Sequence, residues 1–243
     1  MPQRGLEAPI LVFQHIDCEP PAAYEDELLE RGIALRRVRP DAGEELPDWR
    51  GHRAIVAMGG PMGVYEDALH PWLADERRLI GEAVRAGTPF WGVCLGAQLL
   101  AAVLDARVAP GAIPEVGVLP VELTAAAAGD PVFAAAPESF PSFHWHGDTY
   151  ELPTGAVQLA RSARYEQQAF VFGRAYALQF HLEVSGSLVA EWARVPAYAE
   201  SLRRLPADEG PPALIERASV AESRTIPLAR ELFARWLVHV VGL

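Results

Sequence analysis

Residues 86–104 read AGTPFWGVCLGAQLLAAVL and contain no charged side chain. A stretch of this length and polarity approaches what a bilayer-spanning helix needs, about 20 residues. Gly87, Pro89, Gly92, Gly96 and Gln98 interrupt it, however, and its two halves differ in texture. Pro89–Val93 is aromatic and β-like, whereas Leu95–Leu104 is rich in leucine and alanine. A buried strand, a sharp turn at Cys94 and a buried helix fit both halves.

The turn is where chemistry is expected. Gly92-Val93-Cys94-Leu95-Gly96 is the cysteine counterpart of a nucleophile elbow. The turn is tight, so a side chain at either glycine would strike the neighbouring strand or helix. In a parallel sheet the elbow delivers the sulfur to the C-terminal edge, where open α/β folds bind ligands. The free N–H groups and dipole of the following helix favour a thiolate. A cysteine taken at random is more often a small buried hydrophobe. The flanking glycines and the strand–helix junction weigh against that role here.

A thiol nucleophile needs a base, and the base needs an orienting group. Of the seven histidines His181 is best placed, because it closes the apolar strand Tyr176–Phe180 and has Glu183 two residues on. In an extended chain i and i+2 point to the same side. Glu183 can then hold one ring nitrogen while the other meets Cys94. Donors for a developing oxyanion are also required. The loop Gly59-Gly60-Pro61-Met62-Gly63 follows the strand Ala54–Met58 and can lie beside the elbow. The Leu95 N–H, at the start of the elbow helix, is the second donor by the usual elbow logic.

Outward from the elbow, strand and helix alternate through the first part of the chain. Pro9–Gln14, Ile33–Val38 and Ala54–Met58 read as strands, and Ala22–Arg31 as a helix ended by Gly32. Pro71–Ala86 is amphipathic, with Leu73, Ile80 and Val84 on one face. The expected class is therefore α/β, a mostly parallel central sheet flanked by helices. After residue 105 strands follow one another without helices: Val116–Leu123, Ser139–Trp145, Val157–Ala163, Ala169–Phe172 and Tyr176–His181. These read as a mixed extension of the same sheet. Residues 185–204 and 228–241 read as helices, the last with Pro227 near its start, and Leu205–Pro212 as a surface loop.

Length and composition set the outer bounds. The 243 residues suit one large domain, and with 50% apolar and 22% charged residues a sizeable core can form. A net charge of −11 repels phosphate backbones, so nucleic acid is not an expected partner. Cys18 and Cys94 are too few for a disulfide framework or a four-thiolate zinc site and suit a reducing compartment. The first residues lead only into a short apolar run, Pro9–Phe13, where an export signal needs a longer one. The expected location is the cytoplasm, with no membrane partner.

Together these residues resemble the class I (triad) glutamine amidotransferase family, most closely the stand-alone proteins similar to the amidotransferase domain of GMP synthase. The shared stretches are Gly92–Gln98, Gln179-Phe180-His181-Leu182-Glu183 and Gly59-Gly60-Pro61. Gly63–Asp67, Glu115-Val116-Gly117, His146–Thr149 and Gln168-Ala169-Phe170 add to them. The resemblance implies a flavodoxin-like domain over 1–243, with its core at 8–190 and a C-terminal helical extension at 191–243. It implies that Cys94 attacks the side-chain amide of glutamine, that His181 moves the protons and that Glu183 orients His181. It further implies an oxyanion hole from the N–H groups of Gly60 and Leu95, and a glutamine pocket lined by Gln98, His146 and Asp148. Neither an organic cofactor nor a metal is implied. The expected partners are glutamine or another γ-glutamyl small molecule and a separate synthase subunit that accepts ammonia.

The chain departs from the family pattern in two places. Leu182 stands where many members have proline, and Asp105-Ala106 where relatives carry a glycine pair. No P-loop is present in the sequence. Three other readings compete. A γ-glutamyl peptide hydrolase uses the same triad on a different leaving group. A non-catalytic binding module keeps the fold, but the intact Cys94, His181 and Glu183 argue against it. A metal site at His144, His146 and Asp148, alternating along one strand, is weaker than a pocket wall or hydrogen-bonded core.

Overall fold

The computed structural model describes residues 8–243; residues 1–7, part of the span read as one domain, lie outside the described residues. Four short strands form a parallel sheet: β1 (Ile10–Phe13), β2 (Leu35–Val38), β3 (Ile55–Ala57) and β4 (Phe90–Val93). β1, β3 and β4 are buried at every position, as apolar runs covered on both faces must be. β4 also pairs in parallel with β9 (Ala175–Leu178). From β9 the sheet continues antiparallel through β8 (Ala169–Phe172), β7 (Val157–Arg161), β5 (Val108–Leu123) and β6 (Ser139–Tyr150). The nine-strand order is β2-β1-β3-β4-β9-β8-β7-β5-β6. The β-rich half thus extends the first sheet, as expected.

Helices cover both faces. α2 (Trp72–Arg85) and α3 (Leu95–Val103) pack Leu73, Ile80, Leu99 and Leu100 on one side against Phe13 and Phe90. α1 (Ala23–Glu30) and α6 (Pro211–Trp236) close the other side, where Tyr24, Trp91, Phe233 and Trp236 meet. A third apolar cluster, including Phe143, Trp145, Trp192 and Tyr198, holds α4 (Gly186–Trp192) and the chain after it against β6. Among the described residues no helix is long and apolar enough to cross a membrane.

Several boundaries differ from the sequence reading. β5 starts at Val108 and β6 runs on to Tyr150, because their antiparallel pairing carries the chain past Pro110 and Pro114 with a register shift between Pro110 and Glu115. β9 stops at Leu178, and His181 instead forms an isolated bridge with Phe143. Pro196 breaks the helix expected over 185–204, leaving α4 and the short α5 (Ala199–Arg203). α6 begins at Pro211, so part of the expected surface loop is helical, and it passes through Pro227. Burial of Leu214, Ala218, Ala221 and Thr225 holds the turns before Pro227, which outweighs the lost hydrogen bond.

Candidate active site

Cys94 sits between β4 and α3 with φ 51° and ψ −104°, a region that residues bearing a side chain seldom adopt. Two backbone bonds hold the turn. The Cys94 N–H donates to the Leu178 carbonyl at 2.8 Å, and the Gly96 N–H to the Met58 carbonyl at 3.1 Å. The glycines are required by close approach. A Cβ at Gly96 would lie 2.0 Å from the Ala57 carbonyl oxygen, and one at Gly92 would lie 2.5 Å from the Gly96 oxygen. The elbow expected from the spacing is present, and the sulfur is nearly buried.

His181 reaches the sulfur from the opposite segment. Its backbone exchanges two hydrogen bonds with Phe143, of 2.8 and 2.9 Å, which fixes the ring beyond the end of β9. His181 Nδ1 lies 2.7 Å from Glu183 Oε1, and Glu183 Oε2 accepts from the Leu182 N–H at 3.0 Å. The carboxylate accepts, so Nδ1 carries the proton and Nε2 is left for the thiol. The His181 imidazole acts electrostatically on the Cys94 thiol, and Gln179 Nε2 approaches the sulfur at 3.6 Å. Burial pushes the Cys94 thiol up, and His181 draws it partly back. Burial, the largest single influence, opposes an imidazolium at His181, but Glu183 and Cys94 together outweigh it and raise the pKa well above the ordinary histidine value.

The other expected residues gather around the sulfur to different degrees. Gly60 packs directly on Leu95: a Cβ on Gly60 would lie 3.1 Å from Leu95 Cδ2. Gly59, one residue earlier, faces His181 Cε1. Gln98 is buried and donates to Gln179 Oε1 at 3.2 Å. A cavity of about 300 Å³ opens over Cys94, with Gln98, Gly60, His146, Asp148 and Tyr198 in its walls. Asp148 accepts from Tyr65 Oη at 2.9 Å, and burial raises its carboxyl above the usual range despite that bond. Asp148 does not join His144 and His146 as a third metal-ligand candidate; Glu115 takes that place.

Sequence reasoning missed three buried groups next to the site. The Glu19 carboxyl accepts from Tyr198 Oη and packs against Gly59. Burial raises its pKa to about 7, with His181 opposing and Glu183 adding to the shift. His15 lies 3.1 Å from the Gly59 carbonyl through Nδ1 and 2.9 Å from Glu76 Oε1 through Nε2, bracing the glycine loop. Tyr198, in the segment between α4 and α5, brings the C-terminal extension to the pocket. A loop glutamate, a histidine after a strand and a tyrosine from the C-terminal extension carry no spacing pattern in common. Only the fold joins them. Cys18 is half-buried, and burial pushes its thiol up to about 12, in keeping with a loop thiol rather than a reactive one.

The α/β sheet carries a cysteine elbow and a His–Glu pair at one edge, and sequence comparison assigns the family. The family model described as glutamine amidotransferase class-I matches residues 15–191, and the chain belongs to that family. It is 38% identical over 134 residues to the GMP synthase [glutamine-hydrolyzing] of Thermomicrobium roseum, covering 55% of this chain but 24% of that protein. The glutamine amidotransferase-like protein YfeJ of Salmonella typhimurium is 32% identical over 70% of this chain and 73% of its own length. A gamma-glutamyl-L-1-hydroxyisopropylamide hydrolase from Pseudomonas is 30% identical over 63% of this chain and 53% of its own. The crystal structure of a glutamine amidotransferase from Thermotoga maritima superposes with a TM-score of 0.86 at 32% identity, covering 98% of this chain and all of that one.

Proposed function

We propose that the chain hydrolyses γ-glutamyl amides through a cysteine thioester, with glutamine as the simplest substrate. The observation that carries this reading is the elbow cysteine Cys94 opening into a pocket, with the His181–Glu183 hydrogen-bonded pair acting on its thiol from behind. In the first step the Cys94 sulfur bonds to the side-chain carbonyl carbon of glutamine while its proton passes to His181. The carbonyl oxygen takes the electron pair and faces the N–H groups of Gly60 and Leu95. His181 then protonates the leaving nitrogen, the C–N bond breaks, and ammonia departs. Water attacks the thioester with His181 as base, releasing glutamate and restoring the thiol. Gln98, His146 and Asp148 hold the glutamyl portion, and Glu183 keeps the imidazole in its productive tautomer. The ammonia is either released or taken up by a separate synthase. A reduced thiol of this kind belongs in a compartment such as the cytoplasm.

The similarity to the Pseudomonas hydrolase supports a second reading, in which an organic amine replaces ammonia as the leaving group. Tyr198, Ser201 and Arg204 form the pocket wall contributed by the C-terminal extension and set the space for that group. One assay separates the two. The purified chain is incubated with glutamine and, in parallel, with γ-glutamyl dipeptides and alkylamides, and glutamate release is followed. Faster turnover of glutamine supports the amidotransferase reading, and faster turnover of a substituted amide supports the second. Cys94→Ser should cut either rate by about 10³-fold or more. A variant that keeps the wild-type rate removes Cys94 as nucleophile. Failure of a glutamine-analogue chloroketone to label Cys94, under conditions where a known amidotransferase reacts, favours a non-catalytic binding module.

A further inference from the structure

Behind the pocket wall lies a second buried cluster, of which the proposed reaction uses only His146, as a pocket residue. Glu115 stands on β5, and His144 and His146 stand two residues apart on the paired β6. Their ligating atoms lie within 4.8 Å of one another, and all three residues are buried. Glu115 Oε2 is 3.1 Å from His146 Nε2 and 3.4 Å from His144 Nδ1. Ligands around a tetrahedral cation, with bonds of about 2.0–2.1 Å, are separated by about 3.3 Å.

The far side of each ring is held by a neighbouring group. His146 Nδ1 lies 2.9 Å from the Asp148 carbonyl, which can only accept, so the proton is on Nδ1. His146 Nε2, 3.1 Å from Glu115 Oε2, then either carries a second proton or turns a lone pair toward a cation. His144 Nε2 lies 2.8 Å from Ser142 Oγ, a contact that either tautomer of the ring can make. His144 Nδ1 is fully buried and has no hydrogen-bond partner. One carboxylate oxygen thus faces two buried imidazole nitrogens, one of them without a hydrogen-bond partner, an arrangement that a cation between them would satisfy. Outer nitrogens anchored on a carbonyl and a hydroxyl are also how proteins orient metal-bound histidines.

We propose that Glu115 Oε2, His144 Nδ1 and His146 Nε2 bind one divalent cation, zinc by the preference of two imidazoles and a carboxylate. Gln168 supplies the fourth position. Its Nε2 lies 2.7 Å from Glu115 Oε2 and its Oε1 is buried without a partner, so a half-turn of the amide presents oxygen to the cation. The ion is structural. It braces His146, which also lines the pocket, and takes no part in the thioester chemistry. The competing occupant is a proton on His146 Nε2, which pairs His146 with Glu115 but leaves His144 Nδ1 unpartnered.

The test uses the full chain carrying Cys94→Ala, which removes the thiol as an alternative zinc ligand. The protein is stripped with a chelator, dialysed and titrated with zinc chloride, with bound metal read by elemental analysis and melting temperature followed in parallel. We expect about one zinc per chain and a higher melting temperature, with affinity at least about tenfold weaker in Glu115→Gln and His144→Asn. Cobalt(II) in place of zinc should give the visible bands of a four-coordinate nitrogen–oxygen site, and this reading does not depend on either variant folding. A folded parent that takes up no zinc and shows no cobalt bands overturns the proposal, as does a folded Glu115→Gln protein that binds zinc as the parent does.

Discussion

At the residue scale the proposed chemistry depends on three side chains with unequal duties, and their loss should be ranked. His181→Ala removes the base itself, whereas Glu183→Gln keeps a hydrogen-bond acceptor near Nδ1 and loses only its charge. We expect the His181 variant to lose more kcat/KM on the best substrate found, and the reverse order would contradict the assigned roles. Gly96 is tested by stability rather than rate. A methyl group there meets the Ala57 carbonyl oxygen at 2.0 Å, and backbone cannot swing aside. Gly96→Ala should cost about 3 kcal/mol and lower the melting temperature by roughly 6–12 °C; an unchanged melting curve would show that the elbow relaxes. Glu19 makes the protein's stability depend on pH. Its carboxyl faces His181, Glu183, His15 and the Cys94 thiol, and burial lifts its pKa from 4.5 to about 7. The folded protein holds this proton more tightly than the unfolded chain. The resulting stability is complete below pH 4.5 and lost as pH rises through about 7. Glu19→Gln still accepts from Tyr198 but cannot ionise. Its stability relative to the parent should therefore improve between pH 5 and pH 8.5, by up to about 3 kcal/mol. Denaturant titrations at the two pH values check this, and a constant difference would mean that Glu19 is ionised throughout.

At the element scale the elbow was readable because strand, turn and helix each leave a mark in residues 89–104, and they reinforce one another. β8 matches its expected span, Ala169–Phe172, for a similar reason: a short apolar run bounded by polar residues allows one assignment. The misreadings have local causes. β5 and β6 were read too short because Pro110 and Pro114 look like strand ends, and only pairing with a partner shows that the chain stays extended through them. Pro227 was read as a helix start, because proline favours the first turn, whereas packing of the preceding turns carries α6 through it. The Glu19–Tyr198 contact joins residues 179 positions apart, and no periodicity announces it. Pro227 itself yields a prediction. It is exposed, and its ring opposes the carbonyl of Ser223 one turn back. Pro227→Ala should restore a helical hydrogen bond and stabilise the protein by about 1–3 kcal/mol in urea titrations. A loss of stability instead would mean that a bend at this point is needed to seat Trp236 on Trp91.

At the scale of the whole molecule, one sheet runs from β2 to β6 and the C-terminal extension is packed into it. Trp236 lies 5.6 Å from Trp91 of β4 and Phe233 lies 4.9 Å from Tyr24 of α1, measured between ring centres. Gly186 of α4 packs against Ser219 of α6, so closely that a Cβ there would overlap the serine side chain. The extension therefore covers apolar surface at the middle of the sheet and, through Tyr198, forms one wall of the pocket. We infer from this that residues 8–190 and 191–243 act as one unfolding unit. Heating should give a single transition, with tryptophan emission and far-ultraviolet circular dichroism changing together. Trp236→Ala removes a fully buried ring at the junction and should cost about 3–5 kcal/mol, displacing both signals equally. If the extension were a separate unit, the variant would split the curve: helical signal would melt first, and the sheet and the Cys94 pocket would persist to higher temperature. Chloroketone labelling of Cys94 along the same temperature ramp distinguishes the cases, because one cooperative unit loses its reactive pocket where it loses its helices.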